Sequence, residues 1–230
     1  MEKTLRAGLL QLKLQPDEEQ IRQLLGYADA MLEKNRVMNL TAITEPEQVA
    51  ELHLVDSATL LCSEPLKGKR VIDVGCGAGL PGVPLKILEP TIQLTLLDSL
   101  GKRMDWLRSV LPELNVQAEV VTARAEEEAL KRREQYDVAV SRAVARLNIL
   151  SELCLPFVRV GGVFLAMKGA AAEEELHEAE QAISALGGTL ERLDEYAVGG
   201  ALHRVAVIRK TAPTPKQYPR RFAKIKQQPL

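Results

Sequence analysis

The chain has 230 residues, 46% of them hydrophobic, and a formal net charge of −1 at pH 7. That size favours one domain with an appendage over two domains, and no apolar run is long enough to span a bilayer. The first residues lack the design of a signal peptide, and three scattered cysteines exclude a disulfide framework or a zinc site. We therefore expect a cytoplasmic protein without a metal, and the polar composition favours a monomer.

Residues 1–66 are predicted to form a helical extension. Pro16 and Asp17 begin a helix with an acidic first turn, because acids are favourable at that end. Apolar residues follow at helical spacing, namely Ile21, Leu24, Leu25, Ala28, Met31 and Leu32. A second helix is predicted from about residue 46 to 62.

Four polar residues of this extension are candidates for a local structural role or a role in binding. His53 and Asp56 are three apart and share a helix face, so they form either a polar pair or cap, or part of the substrate mouth. Asn35 and Asn39 are interpreted as turn formers between the helices.

Residues 67–210 alternate between strand and helix patterns. Strands are predicted at 71–74, 92–97, 116–121, 137–141, 162–167, 189–196 and 203–209, and helices near 82–89, 100–110, 125–133, 144–159 and 171–186. This alternation predicts an α/β fold with a mainly parallel, doubly wound sheet. Only Gly199 and Gly200 separate the last two strands, and so short a turn joins antiparallel strands.

A glycine-rich turn follows the first predicted strand, with Gly75, Gly77, Gly79 and Gly82 spaced for a sharp turn close to a ligand. An acid, Asp98, ends the second strand, where a carboxylate is placed to accept hydrogen bonds from ribose hydroxyls. The sequence therefore predicts a nucleoside-bearing cofactor.

Asp73, two residues before Gly75, decides which cofactor is favoured. The D-x-G-x-G-x-G pattern resembles motif I of S-adenosylmethionine-dependent methyltransferases, in which this acid orients the loop and the amino group. The alternative is a nicotinamide enzyme, since residues 77–82 also fit the dinucleotide fingerprint. The resemblance implies a Rossmann-like, seven-stranded methyltransferase sheet that binds S-adenosylmethionine.

Residues just after the later strands are further candidates, because ligands bind at the carboxyl ends of the strands in open α/β sheets. Arg124, Ala125 and Glu126 follow the third strand, where adenine would lie, with Glu126 able to receive its amine. Arg142 and Lys168 follow the fourth and fifth strands and are candidates for positioning the substrate. Alternatively, Arg142 pairs with a local acid such as Glu126 or Asp73.

The end of the chain is strongly basic. Residues 196–230 hold eight of the 30 basic residues and none of the 31 acidic ones. The segment 211–230 shows no obvious element, and it is predicted to contact a polyanion. The candidates for RNA contact are Arg124, Lys168, Lys216, Arg220, Arg221, Lys224 and Lys226. Tyr218 and Phe222 flank two arginines, which suits base stacking. We expect deletion of this tail to weaken RNA binding and to spare cofactor affinity. A solvated tail is the alternative.

Six segments of the chain together carry a family resemblance, namely residues 35–44, 53–57, 73–82, 124–126, 141–144 and 218–221. Their combination resembles the bacterial ribosomal RNA small subunit methyltransferase G family, also called glucose-inhibited division protein B. The resemblance begins near residue 20 and covers nearly all of the chain beyond it. It implies cofactor contacts at Gly75, Leu80, Ala125, Glu126 and Arg142, to which the motif itself adds Asp73, Gly77 and Asp98. It also implies that Asn35, Asn39, His53 and Asp56 are packing residues or lie close to the RNA.

The same resemblance implies methylation of guanine N7 in the decoding-region loop of 16S ribosomal RNA, with the small ribosomal subunit or an assembly precursor as partner. Guanine N7 has a free lone pair and no proton, so no catalytic acid or base is expected. Two other functions stay open at this point, a small-molecule methyltransferase and a non-catalytic RNA-binding protein.

Overall fold

A seven-stranded sheet forms the centre of the computed structural model, which describes residues 1–230. The strands are β1 (Arg70–Val74), β2 (Gln93–Asp98), β3 (Glu119–Thr122), β4 (Tyr136–Arg142), β5 (Val158–Lys168), β6 (Gly188–Val198) and β7 (Ala201–Lys210). They lie in the order β3-β2-β1-β4-β5-β7-β6, and only β7 runs antiparallel to its neighbours. The predicted mixed sheet is therefore confirmed.

The antiparallel hairpin at one edge results from the two glycines at its tip. Gly199 and Gly200 have φ of 58° and 75°, in the left-handed region that side chains disfavour. Their turn reverses the chain after β6, so that Val198 pairs with Ala201 and the register extends to Gly188 and Lys210.

Helices cover both faces of the sheet, and residues along each strand alternate between two apolar cores. In β5, Val163 and Leu165 join the first core, whereas Phe164 and Ala166 join the second. The helices that follow the strands are α5 (Gly82–Leu88), α6 (Gly101–Glu113), α7 (Ala125–Lys131), α8 (Leu147–Cys154) and α9 (Ala172–Ala185). A 3₁₀ turn at Leu155–Phe157 separates α8 from β5, so the helix expected at 144–159 is shorter than predicted.

The helical extension packs against the first core and contains more elements than predicted. It comprises α1 (Glu2–Gln11), α2 (Glu18–Met38), α3 (Pro46–Val49), a π-helical turn (Ala50–Val55) and α4 (Asp56–Ser63). Asp17 and Gln20 form a capping box at the start of α2, as its sequence indicated. The sequence did not predict α1, whose only fully buried side chains are Leu5 and Leu9.

The end of the chain also folds, contrary to the prediction of no element after residue 210. Helix α10 (Phe222–Gln227) buries Ile225 in the second core, beside α8. One apolar residue in a short basic helix gives no recognisable period, which is why the sequence pattern missed it. None of the helices combines the length and the apolar composition needed to cross a membrane.

Candidate cofactor site

The glycine-rich turn after β1 lies against the end of β2. The amides of Gly75 and Cys76 both donate to the carbonyl oxygen of Leu97, at 2.8 and 3.1 Å. Gly75 has φ of 73°, and a Cβ there would lie 2.4 Å from Cγ2 of Val144. Any side chain at this position would therefore displace Val144 as well as strain the backbone.

Asp73 stabilises the glycine-rich turn through a hydrogen bond to the start of α5. Its Oδ2 accepts a hydrogen bond from the amide of Gly82 at 2.8 Å, at the first residue of α5, while its Oδ1 is buried without a partner. The side chain is completely buried, and this burial raises the pKa of Asp73 to about 7. The carboxyl group thus fixes the loop to α5 and does not line the cavity above it.

Asp98 joins the glycine-rich turn to the start of α6. Its Oδ2 accepts from the amide of Gly77 at 3.0 Å, and its Oδ1 accepts from the amide of Leu100 at 2.9 Å. Each carboxylate oxygen has a second lone pair, so two acceptor positions are left for a ligand. The backbone therefore orients Asp98 at the tip of β2, where the sequence predicted a ribose acceptor.

A cavity of about 340 Å³ opens beside Asp98, within the range of small-molecule sites. Its lining consists of Val74, Gly75, Leu97, Asp98, Ser99, Leu100, Ala123, Arg124, Ala125, Glu126, Val144, Leu153 and Phe222. Five predicted site residues thus meet here, namely Gly75, Asp98, Arg124, Ala125 and Glu126. Leu80 is buried in the first core, and Gly77 is tied to Asp98 without lining this cavity.

The residues of the cavity fit an adenosyl group. Eight of the 13 lining residues are hydrophobic, which suits the faces of a purine, and Asp98 and Glu126 are the only carboxylates among them. A Cβ on Gly77 would have just one neighbour, the Arg103 guanidinium at 3.6 Å, so the turn leaves open space for a ligand. No group of three or more His, Cys, Asp or Glu side chains is arranged to hold a metal ion.

A second cavity, of about 460 Å³, lies at the carboxyl ends of β4 and β5. It is lined by Asp56, Arg142, Ala143, Val144, Ala145, Arg146, Met167, Lys168, Gly169, Glu175 and His203. Val144 also lines the first cavity, so one side chain forms a wall of both. Ala143, with φ of 55°, sits in the left-handed region immediately before it.

Arg142 binds the helical extension and neither Glu126 nor Asp73. Its Nη1 donates to the carbonyl oxygen of Leu52 at 2.7 Å and to Oδ2 of Asp56 at 3.1 Å. An ion pair of Arg142 was among the predictions, but Glu126 and Asp73 were the wrong acids. The reason is that the π-helical turn and α4 pack at the end of β4, which brings Asp56 within reach.

His53 completes this cluster through both of its ring nitrogens. Nδ1 of His53 lies 3.0 Å from Nη2 of Arg142, which donates, and 3.0 Å from the carbonyl oxygen of Leu52, which accepts. Nε2 in turn lies 2.7 Å from the hydroxyl of Thr41. Burial and the neighbouring Arg142 lower the pKa of His53 to about 4, which keeps the ring neutral.

The asparagines of the extension stabilise the turn after α2. Asn35 donates to the carbonyl oxygen of Thr41 and accepts from its amide, both at 2.9 Å, and Asn39 ends α2 in the left-handed conformation. On the other side of the cluster, Nδ1 of His203 lies 2.7 Å from Oδ1 of Asp56, and this hydrogen bond raises the pKa of His203. Asn35, Thr41, His53, Arg142, Asp56 and His203 therefore form one hydrogen-bonded chain.

Two of the cations predicted to contact RNA are engaged within the protein. Lys168 donates to the carbonyl oxygen of Ala145 and to Glu175, both at 2.7 Å, and its side chain is 8% exposed. Arg220 forms an ion pair with the fully buried carboxylate of Glu152 at 2.6 Å. The other five are exposed, namely Arg124, Lys216, Arg221, Lys224 and Lys226.

Sequence reasoning missed three contributors to these cavities, which are Val144, His203 and Phe222. Val144 was noted only as part of a motif, and His203 lies on a strand with no local sign of a partner 147 residues away. Phe222 was noticed as an aromatic between basic residues and assigned to base stacking in RNA. Its side chain lines the cavity beside Asp98 instead.

Solved structures of known methyltransferases have a similar fold. One is an S-adenosylmethionine-dependent methyltransferase from Aquifex aeolicus, with a TM-score of 0.54, 19% identity, and 74% of this chain and 96% of that chain covered. Another is TrmN from Thermus thermophilus, with a TM-score of 0.53, 20% identity, and coverage of 68% and 48%. The fold is that of the S-adenosylmethionine-dependent methyltransferases.

Sequence relatives define the family within that class. The family model described as rRNA small subunit methyltransferase G matches residues 20–199. Proteins named ribosomal RNA small subunit methyltransferase G include one from Alkaliphilus metalliredigens, 46% identical over 94% of this chain and 93% of that protein. A second, from Clostridium novyi, is 43% identical over 94% and 92%. The chain belongs to the rRNA small subunit methyltransferase G family, which confirms the resemblance found in the sequence.

Proposed function

We propose that this protein transfers the methyl group of S-adenosylmethionine to N7 of a guanine in 16S ribosomal RNA, in the decoding-region loop of the small ribosomal subunit. The observation that carries the proposal is the pair of adjoining cavities at the carboxyl edge of the sheet. One has the carboxylate and apolar walls that a nucleoside needs, and the other provides space for an acceptor. The name of the family supports RNA of the small subunit as the substrate.

The first cavity would hold the cofactor. Asp98 would accept hydrogen bonds from the ribose hydroxyls, and Ala125 and Glu126 at the start of α7 would bind the base. Gly75 and Gly77 would give the methionine half a close approach to the backbone, in a turn that Asp73 holds in shape. When bound, the sulfonium supplies an electrophilic methyl group.

The chain's own task in the transfer would be positioning. Guanine N7 offers a lone pair without a proton, so attack on the methyl group needs no general base and no covalent intermediate. Val144 lines both cavities and would exclude water from the space around donor and acceptor. Arg142 would act indirectly, by fixing the shape of the wall that Val144 forms, because its guanidinium is bound to Asp56, His53 and Leu52.

The exposed cations would supply the RNA contacts. Arg124 lies at the rim of the first cavity, and Arg221, Lys224 and Lys226 lie on or beside α10, whose Phe222 lines the same cavity. Phosphate neutralisation by such residues makes binding fall steeply with salt. A small-molecule methyltransferase would lack that dependence on salt.

The direct test is to incubate the protein with methyl-labelled S-adenosylmethionine and small subunits from a strain that lacks this enzyme, followed by mapping of the labelled base. We expect label in a single 7-methylguanosine of 16S RNA, identified by nucleoside mass spectrometry and by chain cleavage at the modified base. Label on another atom or another RNA would refute the proposed acceptor. If calorimetry with S-adenosylhomocysteine gave no heat, the protein would instead be a non-catalytic RNA-binding protein.

A further inference from the structure

The segment after β7 follows a fixed path over the protein. The guanidinium of Arg133 donates to the carbonyl oxygens of Thr214, Tyr218 and Pro215, at 2.6, 2.7 and 2.8 Å. The hydroxyl of Thr214 also donates to the carbonyl oxygen of Leu186 at 2.8 Å, and this threonine is buried. Residues 214–218 are therefore bound to the body through their own backbone.

A buried ion pair continues this attachment at Arg220. The carboxylate of Glu152, on α8, is 0% exposed and accepts hydrogen bonds from the amide, Nε and Nη2 of Arg220, at 2.7, 2.9 and 2.6 Å. Arg220 supplies every side-chain partner of this carboxylate, and a buried carboxylate without a partner is strongly unfavourable. The fold of α8 and the position of the tail are thus coupled.

Two residues that lie close in sequence to this ion pair line the cofactor cavity. Leu153 follows Glu152, Phe222 follows Arg220 by two positions, and both side chains line the cavity that contains Asp98. Ile225, one turn further along α10, is fully buried in the second core. Phe222 therefore lies in sequence between two fixed points, which are the Glu152–Arg220 ion pair and the buried side chain of Ile225.

We propose that Phe222 is part of the adenosine site, where its ring covers the purine of the cofactor, and that the Glu152–Arg220 pair holds it in place. This inference rests on the proposed use of S-adenosylmethionine. A purine presents flat apolar faces that pack well on an aromatic ring. Phe222 is the one aromatic side chain in the lining, and Ala123 and Ala125 give the remaining wall small side chains.

The test measures binding by calorimetry with two probes, S-adenosylhomocysteine and free adenosine. We expect Phe222→Ala to weaken both by roughly tenfold, from the loss of base–aromatic contact. Phe222→Leu keeps an apolar side chain for the core but loses the flat ring, and we expect it to weaken both probes by several-fold. Gln227→Ala, at an exposed position of the same helix, is the matched control and keeps wild-type affinity.

The outcomes separate this inference from the proposed function. Wild-type affinity in both Phe222 variants overturns the inference and leaves the function standing. A loss for S-adenosylhomocysteine without a loss for adenosine also overturns it, because the contact would then be with the methionine half. A wild-type protein that binds neither probe overturns both the inference and the function.

Discussion

The Nη1 atom of Arg142 donates to Oδ2 of Asp56 at 3.1 Å, across 86 residues of sequence. This contact ties the carboxyl end of β4 to the helical extension. Because Asp56 also binds His203 of β7, one carboxylate connects three parts of the chain at the edge of the second cavity. The extension is therefore a structural component of the candidate acceptor site.

Replacement of this carboxylate should destabilise the fold. Arg142 is only 15% exposed in its side chain, so Asp56→Ala leaves a largely buried cation without its partner. We expect a loss of about 3 kcal/mol in the free energy of unfolding, measured by urea denaturation. Asp105→Ala removes an exposed partner of Arg108 and should change stability by less than about 1 kcal/mol. Equal effects of the two substitutions would contradict a special role for Asp56.

Removal of the Asp98 carboxylate should weaken cofactor binding. Asp98→Ala deletes the proposed acceptor for the ribose and two backbone hydrogen bonds that shape the glycine-rich turn. Hydrogen bonds to a charged group contribute about 1.5–3 kcal/mol each, so we expect an affinity for S-adenosylhomocysteine at least about tenfold lower. Calorimetry provides the measurement, and Asp105→Ala is again the control. Unchanged affinity would remove Asp98 from the cofactor site.

Asp73 should make stability depend on pH in a particular direction. Its pKa is raised from the ordinary 3.8 to about 7 in the folded protein, so the folded state retains a proton that the unfolded state loses. The associated stability is complete below pH 3.8 and is lost as the pH rises through 7. Asp73→Asn has no such titration and can still accept from Gly82.

The free energies of unfolding of the Asp73→Asn variant and the wild type, both without cofactor, should therefore diverge with pH. Between pH 5 and pH 8 we expect the variant to gain about 2–3 kcal/mol relative to the wild type. Other titrating groups are common to both proteins and cancel in the difference. A difference that stays constant over this range would show that Asp73 is ionised in the folded protein throughout.

The exposed cations of the tail should determine how RNA binding responds to salt. We expect replacement of Lys216, Arg221, Lys224 and Lys226 by glutamine to weaken RNA binding. The slope of log affinity against log salt should also become shallower by up to about 3, at about 0.7–0.9 per phosphate contact. Cofactor affinity should stay unchanged, because Arg220 and Phe222 are retained.

The matched control for the tail variant is Lys67→Gln combined with Lys69→Gln, next to the amino end of β1 and so at the opposite edge of the sheet. An unchanged salt slope in the tail variant would assign RNA binding to another surface. Deletion of residues 211–230 is a different experiment. It removes Phe222 from the cofactor cavity, so we expect it to weaken cofactor binding too, contrary to what the sequence alone led us to expect.

The parts of this protein that follow from local patterns were predictable from the sequence. The alternating strands and helices, the Gly199–Gly200 hairpin and the turn between Asp73 and Gly82 each depend on neighbours within a few residues. The partners of Arg142 and Arg220 did not follow, because they lie 86 and 68 residues away and no local pattern encodes such pairings. Helices α1 and α10 were missed since packing against the rest of the protein, and not sequence periodicity, stabilises them.

The hydrogen-bonded chain from Asn35 to His203 also constrains the order of folding. Its members come from α2, the π-helical turn, α4, β4 and β7, so it closes only after most of the polypeptide has collapsed. Contacts of such long sequence separation carry a large loop-closure entropy and tend to form late. Substitutions in this hydrogen-bonded chain should therefore accelerate unfolding more than they slow folding. In such variants the second cavity would open more often than the rest of the fold.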